Sequence, residues 1–162
     1  MDDEEQGWWK SVFGLVVALA LSVMPLPASV APFRPDWVAV VLLYWTLVSP
    51  RRFGMLTAFL MGLGLDTLSG ALLGQHALAL LVVVYLSQHF HLRMRAFPVS
   101  QQAVTVVGLL ALYEFMLFWI DGVAGRTVPA IERWAPVLSG AVLWTVIIYA
   151  VDRRRQESQA RV

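Results

Sequence analysis

The chain has 162 residues, 59% hydrophobic and 14% charged, with a formal net charge of +1. Soluble domains carry about 25% charged residues, so this composition and a mean hydropathy of +0.68 exclude an ordinary soluble domain and make lipid the main solvent. The length suits a single integral membrane domain over residues 1–162, ending in a basic tail at 152–162, and the absence of cysteine excludes disulfides and thiolate catalysis.

Six apolar segments follow one another. The first covers about residues 8–25 and ends in the breaker run Pro25-Leu26-Pro27. It follows Met1-Asp2-Asp3-Glu4-Glu5, which is acidic where a cleaved secretory signal needs positive charge, so it reads as a retained anchor. The second, residues 37–49, has 13 residues, about 20 Å of helix. That is short for a hydrocarbon core of roughly 30 Å. Pro50 separates it from the third, about residues 53–68, and a fused helix would bury Arg51 and Arg52 at its middle. The fourth covers about residues 72–90, the fifth 99–120 and the sixth 134–151. The expected fold is all-α: a polytopic membrane protein with six transmembrane helices in one bundle.

Basic residues orient this bundle. With six crossings, the side of the amino terminus carries Lys10, Arg51, Arg52, Arg93, Arg95, Arg153, Arg154, Arg155 and Arg161, nine residues, and the opposite side Arg34, Arg126 and Arg133. Lysine and arginine collect on the cytoplasmic side, so both termini are expected there. Trp8, Trp9, Trp37, Trp119 and Trp134 fall at segment ends, where amphipathic rings favour the headgroup region. Trp45 and Trp144 lie further in and suit packing or lipid contact.

Asp66 is the residue out of place. It lies in Gly62-Leu63-Gly64-Leu65-Asp66-Thr67-Leu68-Ser69-Gly70, within an apolar stretch, where an aspartate at mid-membrane costs roughly 2.5–3.5 kcal/mol. Glu114 is the second ionisable residue inside a span. Asp66 lies 13 residues past Phe53 and Glu114 15 residues past Val99, about 20 and 22 Å along their helices. Both therefore sit past the midplane towards the outer face. Gln75 and His76 return on that side. The expectation is a polar cluster of Asp66, Thr67, Ser69, Gln75, His76 and Glu114, with Arg34, Arg126 or Arg133 as counter-charge. Three roles for Asp66 stay open: a cap or turn at the end of the third helix, a partner contact or conformational element, and proton or substrate transport.

Gly62, Gly64, Gly70 and Gly74 surround Asp66, and Gly70 to Gly74 forms a G-x-x-x-G. Close helix packing and tight turning both explain them. Arg153, Arg154 and Arg155 form a juxtamembrane cluster suited to anionic lipid, at about 1 kcal/mol each, or to a cytoplasmic partner. His89 and His91 are two apart and face different sides of a helix, so no metal site is expected. No phosphate loop with lysine and no nucleophile elbow occurs. The reading is of no enzyme, no cofactor and no nucleic-acid partner.

The run Pro35-Asp36-Trp37-Val38 to Leu43-Tyr44-Trp45, then Pro50-Arg51-Arg52-Phe53-Gly54, Gly62-Leu63-Gly64-Leu65-Asp66 and Leu72-Leu73-Gly74-Gln75-His76-Ala77-Leu78, resembles the rod shape-determining protein MreD family. The likeness is densest over residues 35–85, and the number and placement of apolar segments extend it to nearly the whole chain. The resemblance implies an inner-membrane subunit of the bacterial elongation machinery. Its partners would be the bitopic MreC, the actin-like MreB, and the glycosyltransferase and transpeptidase of lateral peptidoglycan synthesis. It also implies a fold similar to the substrate-binding membrane subunits of energy-coupling-factor transporters. Asp66 matches the family's G-L-x-x-D pattern, and no catalytic residue is implied. The expected function is a non-catalytic inner-membrane scaffold that helps maintain rod cell shape through cell wall elongation. It would bind MreC directly, contact anionic lipid and allow a homo-oligomer. The alternative is a small-molecule-binding membrane subunit of a transporter.

Overall fold

A computed structural model describes the backbone over residues 2–27, 29–50 and 52–159, with side chains described from Trp9 to Val151 apart from residues 28, 51, 95, 99 and 130. Among these residues there are six α-helices and no strand: α1 (Asp2–Val23), α2 (Trp37–Val48), α3 (Met55–Ser69), α4 (Gln75–Ala96), α5 (Val99–Val123) and α6 (Ala130–Gln159). A 3-10 turn at Ala31–Phe33 lies in the α1–α2 connection. Helices are the expected answer to this composition, because a backbone in hydrocarbon must satisfy its own N–H and C=O groups. α2 makes the point. Its sequence, WVAVVLLYWTLV, is β-branched and aromatic enough to read as a strand in water, yet it is helical.

α4, α5 and α6 contain stretches long and apolar enough to cross a membrane, at Gln75–Met94, Ser100–Val123 and Ile131–Val151. The apolar parts of α1 and α3, Trp9–Val23 and Met55–Ser69, are shorter. α2 has 12 residues, about 18 Å of helix. The structure extends several segments beyond their apolar limits. α4 continues through His89, His91 and Arg93, and α6 begins before Arg133, because helical hydrogen bonding does not stop where apolarity does. Arg153, Arg154 and Arg155 lie on the α6 backbone, and their side chains are outside the described residues, as is Arg51.

α2 is the centre of the bundle. It packs against α1, α4, α5 and α6, and Val38, Ala39, Val40, Leu42, Leu43, Thr46 and Leu47 are all buried. Its one buried polar side chain, Thr46, donates to its own Leu42 carbonyl at 2.8 Å, which removes the cost of an orphan hydroxyl. Trp144 of α6 is fully buried against Tyr44, with ring centroids 6.5 Å apart. Trp45 packs on Phe53. At the end of the bundle where α2 meets α3, the Gln88 amide of α4 donates to the Pro50 carbonyl at 2.9 Å and holds the turn.

α3 and α4 form the tightest hairpin. A Cβ placed on Gly62 would collide with the backbone of Ala77, so the missing side chain is what lets the two helices approach. Gly70 and Gly74 adopt φ of 67° and 94°, conformations that favour glycine. Gly70 ends α3 and Gly74 precedes α4. The G-x-x-x-G spacing is therefore a turn rather than one helical face.

Candidate functional site

The polar side chains collect at the end of the bundle formed by the α3–α4 turn, the end of α5 and the start of α6. Asp66 sits one turn before the end of α3 and is 1% exposed. Its Oδ2 accepts from the Gly74 amide at 2.8 Å and its Oδ1 from the His76 amide at 2.9 Å. The His76 ring nitrogen Nδ1 lies 2.8 Å from the same Oδ1. The first amides of a helix have no partner within it and carry the positive end of its dipole. Asp66 thus caps the start of α4 from the helix before. Its carboxyl serves the turn after α3, one of the roles left open by the sequence, while the end of α3 itself falls to Gly70.

A second group ties three helices. Arg133 of α6 donates through Nη1 to Glu114 Oε2 of α5 at 3.2 Å, and through Nη2 to Asp121 Oδ2 of the same helix. The Gln75 amide of α4 donates to Asp121 Oδ1 at 2.9 Å. Arg133, Glu114, Asp121 and Gln75 are all buried. Two carboxylates against one guanidinium meet the demand that buried charges be paired. α5 can present both acids because they are seven residues apart, two helical turns, on the stripe that also buries Val106, Leu110, Tyr113 and Leu117.

Asp36 and Arg34, from the connection before α2, close the third side. Asp36 faces Glu114. Burial, and then the neighbouring Glu114 carboxyl, push Asp36 well above the ordinary carboxylate range, against the opposing pull of Arg133. Arg34 donates through Nη1 to the Ser22 carbonyl at 2.6 Å and through Nη2 to the Met24 carbonyl. It thereby occupies carbonyls left over at the end of α1. Between these groups lies a cavity of about 450 Å³, lined by Arg34, Asp36, His76, Glu114, Glu132 and Arg133 together with apolar Leu117, Val128 and Pro136.

The structure thus brings Asp66 to His76 and, beside them, Gln75 and Glu114 into a group with Arg133. Two expected members stand apart. The Thr67 hydroxyl bonds back to the Leu63 and Gly64 carbonyls, and that of Ser69 to Leu65, as short hydroxyls on helices do. Arg126 is exposed in the connection before α6. Sequence reasoning missed Asp36 and Asp121, which stood at segment ends and passed for loop residues. The seven-residue spacing of Glu114 and Asp121 was the available signal. Among the described residues no group of three or more histidine, aspartate, glutamate or cysteine side chains is placed to hold a metal ion.

An apolar groove of about 740 Å³ lies elsewhere on the same end, lined by Leu72, Phe115, Met116, Trp119, Ile120, Val123 and Ala124. It uses the faces of α5 that the polar stripe leaves free.

Comparison with known proteins assigns the chain. The family model of the rod shape-determining protein MreD matches residues 5–151. The Rod shape-determining protein MreD of Haemophilus influenzae is 30% identical over 153 residues, covering 93% of each chain. No solved structure matches. Six helices in a bundle, three of them long and apolar enough to span a membrane, together with a family match over nearly the whole chain, make this a membrane protein of the MreD family with a role in determining rod shape.

Proposed function

We propose that the protein is a non-catalytic, multi-pass scaffold of the inner membrane, with both termini in the cytoplasm. In this reading it organises lateral peptidoglycan synthesis by holding MreC, and through MreC it meets MreB and the elongation glycosyltransferase and transpeptidase. The observation that carries the reading is the division of labour on α5. One face spends its carboxylates on Arg133 and Gln75 and so fixes the helix ends relative to one another. The other opens a wide groove with almost no polar lining at Phe115, Trp119 and Val123. A rigid bundle with an apolar groove at headgroup depth suits the end of a partner's transmembrane helix. All six helices belong to one integral membrane domain. The basic tail at Arg153, Arg154 and Arg155 would meet anionic lipid or cytoplasmic partners.

Site-directed photocrosslinking in growing cells tests this. A photoreactive residue at Trp119 or Val123 is expected to capture MreC. One at Leu56, exposed on α3, is expected not to. Equal capture from the groove and from Leu56, or none from the groove while MreC co-purifies, would remove the groove from the reading.

A further inference from the structure

Carboxyl groups outnumber cations where the α1–α2 connection meets α5 and α6. Arg133 pairs with Glu114 and Asp121, and Asp36 is joined to Glu114 by a hydrogen bond between the two side chains. The other arginine of this region, Arg34, is committed to the carbonyls of Ser22 and Met24. Among the described residues no hydrogen bond from either guanidinium reaches Asp36, and its buried Oδ2 meets no donor. Left as carboxylates, these groups would give a buried site a surplus of negative charge.

Two ionised carboxylates are both acceptors and cannot bond to each other; a hydrogen bond between them needs a proton on one. Position decides which. Glu114 takes an N–H of Arg133 at 3.2 Å, so the charge of the pair rests on Glu114 and the proton on Asp36. The raised carboxyl of Asp36 agrees with this. The remaining titratable neighbours do not supply the missing donor. His76 and Tyr113 border a small cavity of about 100 Å³ with Asp36, Glu132 stands on the wall of the larger one, and Asp66 is held by His76 and two amides.

We propose that Asp36 and Glu114 form a proton-binding site, occupied at neutral pH, in which Asp36 donates to the Glu114 carboxylate and so fastens the start of α2 to α5. Arg34 ties the same connection to α1. One fastening is therefore permanent and the other titratable. Loss of the proton sets two carboxylates against each other in a buried place and releases the second fastening. The sign follows from linkage. The folded chain keeps a proton that an unfolded aspartate gives up above its ordinary value of 3.8, so stability falls as the pH rises through the titration of the pair.

Infrared spectroscopy of the full chain in detergent, titrated with pH, reads the proton directly. At neutral pH the unsubstituted chain is expected to show the C=O stretch of about one protonated carboxylic acid per chain, a band that ordinary aspartates and glutamates lack there. Asp36→Asn is expected to remove the band and keep the fold, because its amide N–H can donate to Glu114 in place of the proton. The thermal midpoint of the unsubstituted chain is expected to fall across the pH range in which the band disappears, and that of Asp36→Asn to stay level there. Glu114→Gln tests the pair even if the first variant fails to fold. With the neighbouring carboxylate gone, the band is expected to disappear at a pH lower by roughly one unit or more. Absence of the band at neutral pH, a band that Asp36→Asn leaves intact, or a titration that Glu114→Gln does not move overturns the proposal.

Discussion

Asp66 and Glu114 are acids of similar burial at the same end of one bundle, yet they are held by different physics. Asp66 is satisfied almost wholly by neutral donors, the Gly74 and His76 amides, within ten residues of chain. Glu114 is satisfied by a charge on another helix, Arg133, which also holds Asp121. The first arrangement is local and shapes a turn. The second is long-range and fixes α4, α5 and α6 to one another. A carboxylate on helix-start amides leaves no second ion behind when it is removed. A carboxylate in an ion pair does. The lesson is that intramembrane charge is not one kind of signal: it marks either a cap or a brace, and the partner decides which.

Breaking the brace is therefore expected to have the largest effect. Arg133→Ala leaves Glu114 and Asp121 buried without their cation and should cost about 3–5 kcal/mol, read as loss of unfolding free energy in bicelles. Arg133→Met combined with Glu114→Gln and Asp121→Asn should recover much of that, because no charge then stays uncompensated. A triple variant as unstable as Arg133→Ala would mean that the ion pairs do more than satisfy each other. Gly62→Leu tests the hairpin on which the cap depends. It forces a side chain into the Ala77 backbone and should cost about 1–3 kcal/mol or more, whereas Gly62→Ala should cost less in the same measurement. Asp66→Asn should have the smallest effect, about 1–3 kcal/mol, since one amide oxygen can still accept from the start of α4. Combining it with Glu114→Gln sharpens the contrast. Independent cap and brace give free-energy changes that add within about 0.5 kcal/mol, and a larger coupling would join them into one network.

The helices were legible because lipid writes its thickness into the sequence as apolar runs, and six runs became six helices. Their ends were not, because the run ends at the membrane while the helix ends at a backbone event. Gly70 was such an event; the polar run from His89 to Ala96 was not. The site was legible to the extent that charge inside an apolar run is visible. Asp66 and Glu114 stood out for that reason. Asp121 did not, because it lay just past an apolar limit and so passed for a loop residue, while Arg133 was visible as one of three candidate counter-charges but not as the one that pairs with Glu114. Asp36 was hidden differently. It is brought in by the folding back of the connection after Pro25-Leu26-Pro27, a long-range event that no local pattern encodes.

The burial of α2 has a consequence for the bilayer. None of its described side chains is more than partly exposed, so its boundary with acyl chains is small and it has little hydrophobic length to match. Membrane thickness acts on this protein mainly through its outer wall, where α1, α3, α4, α5 and α6 all expose large apolar side chains. Thinner or thicker bilayers should tilt those outer helices around an axle whose own environment changes least.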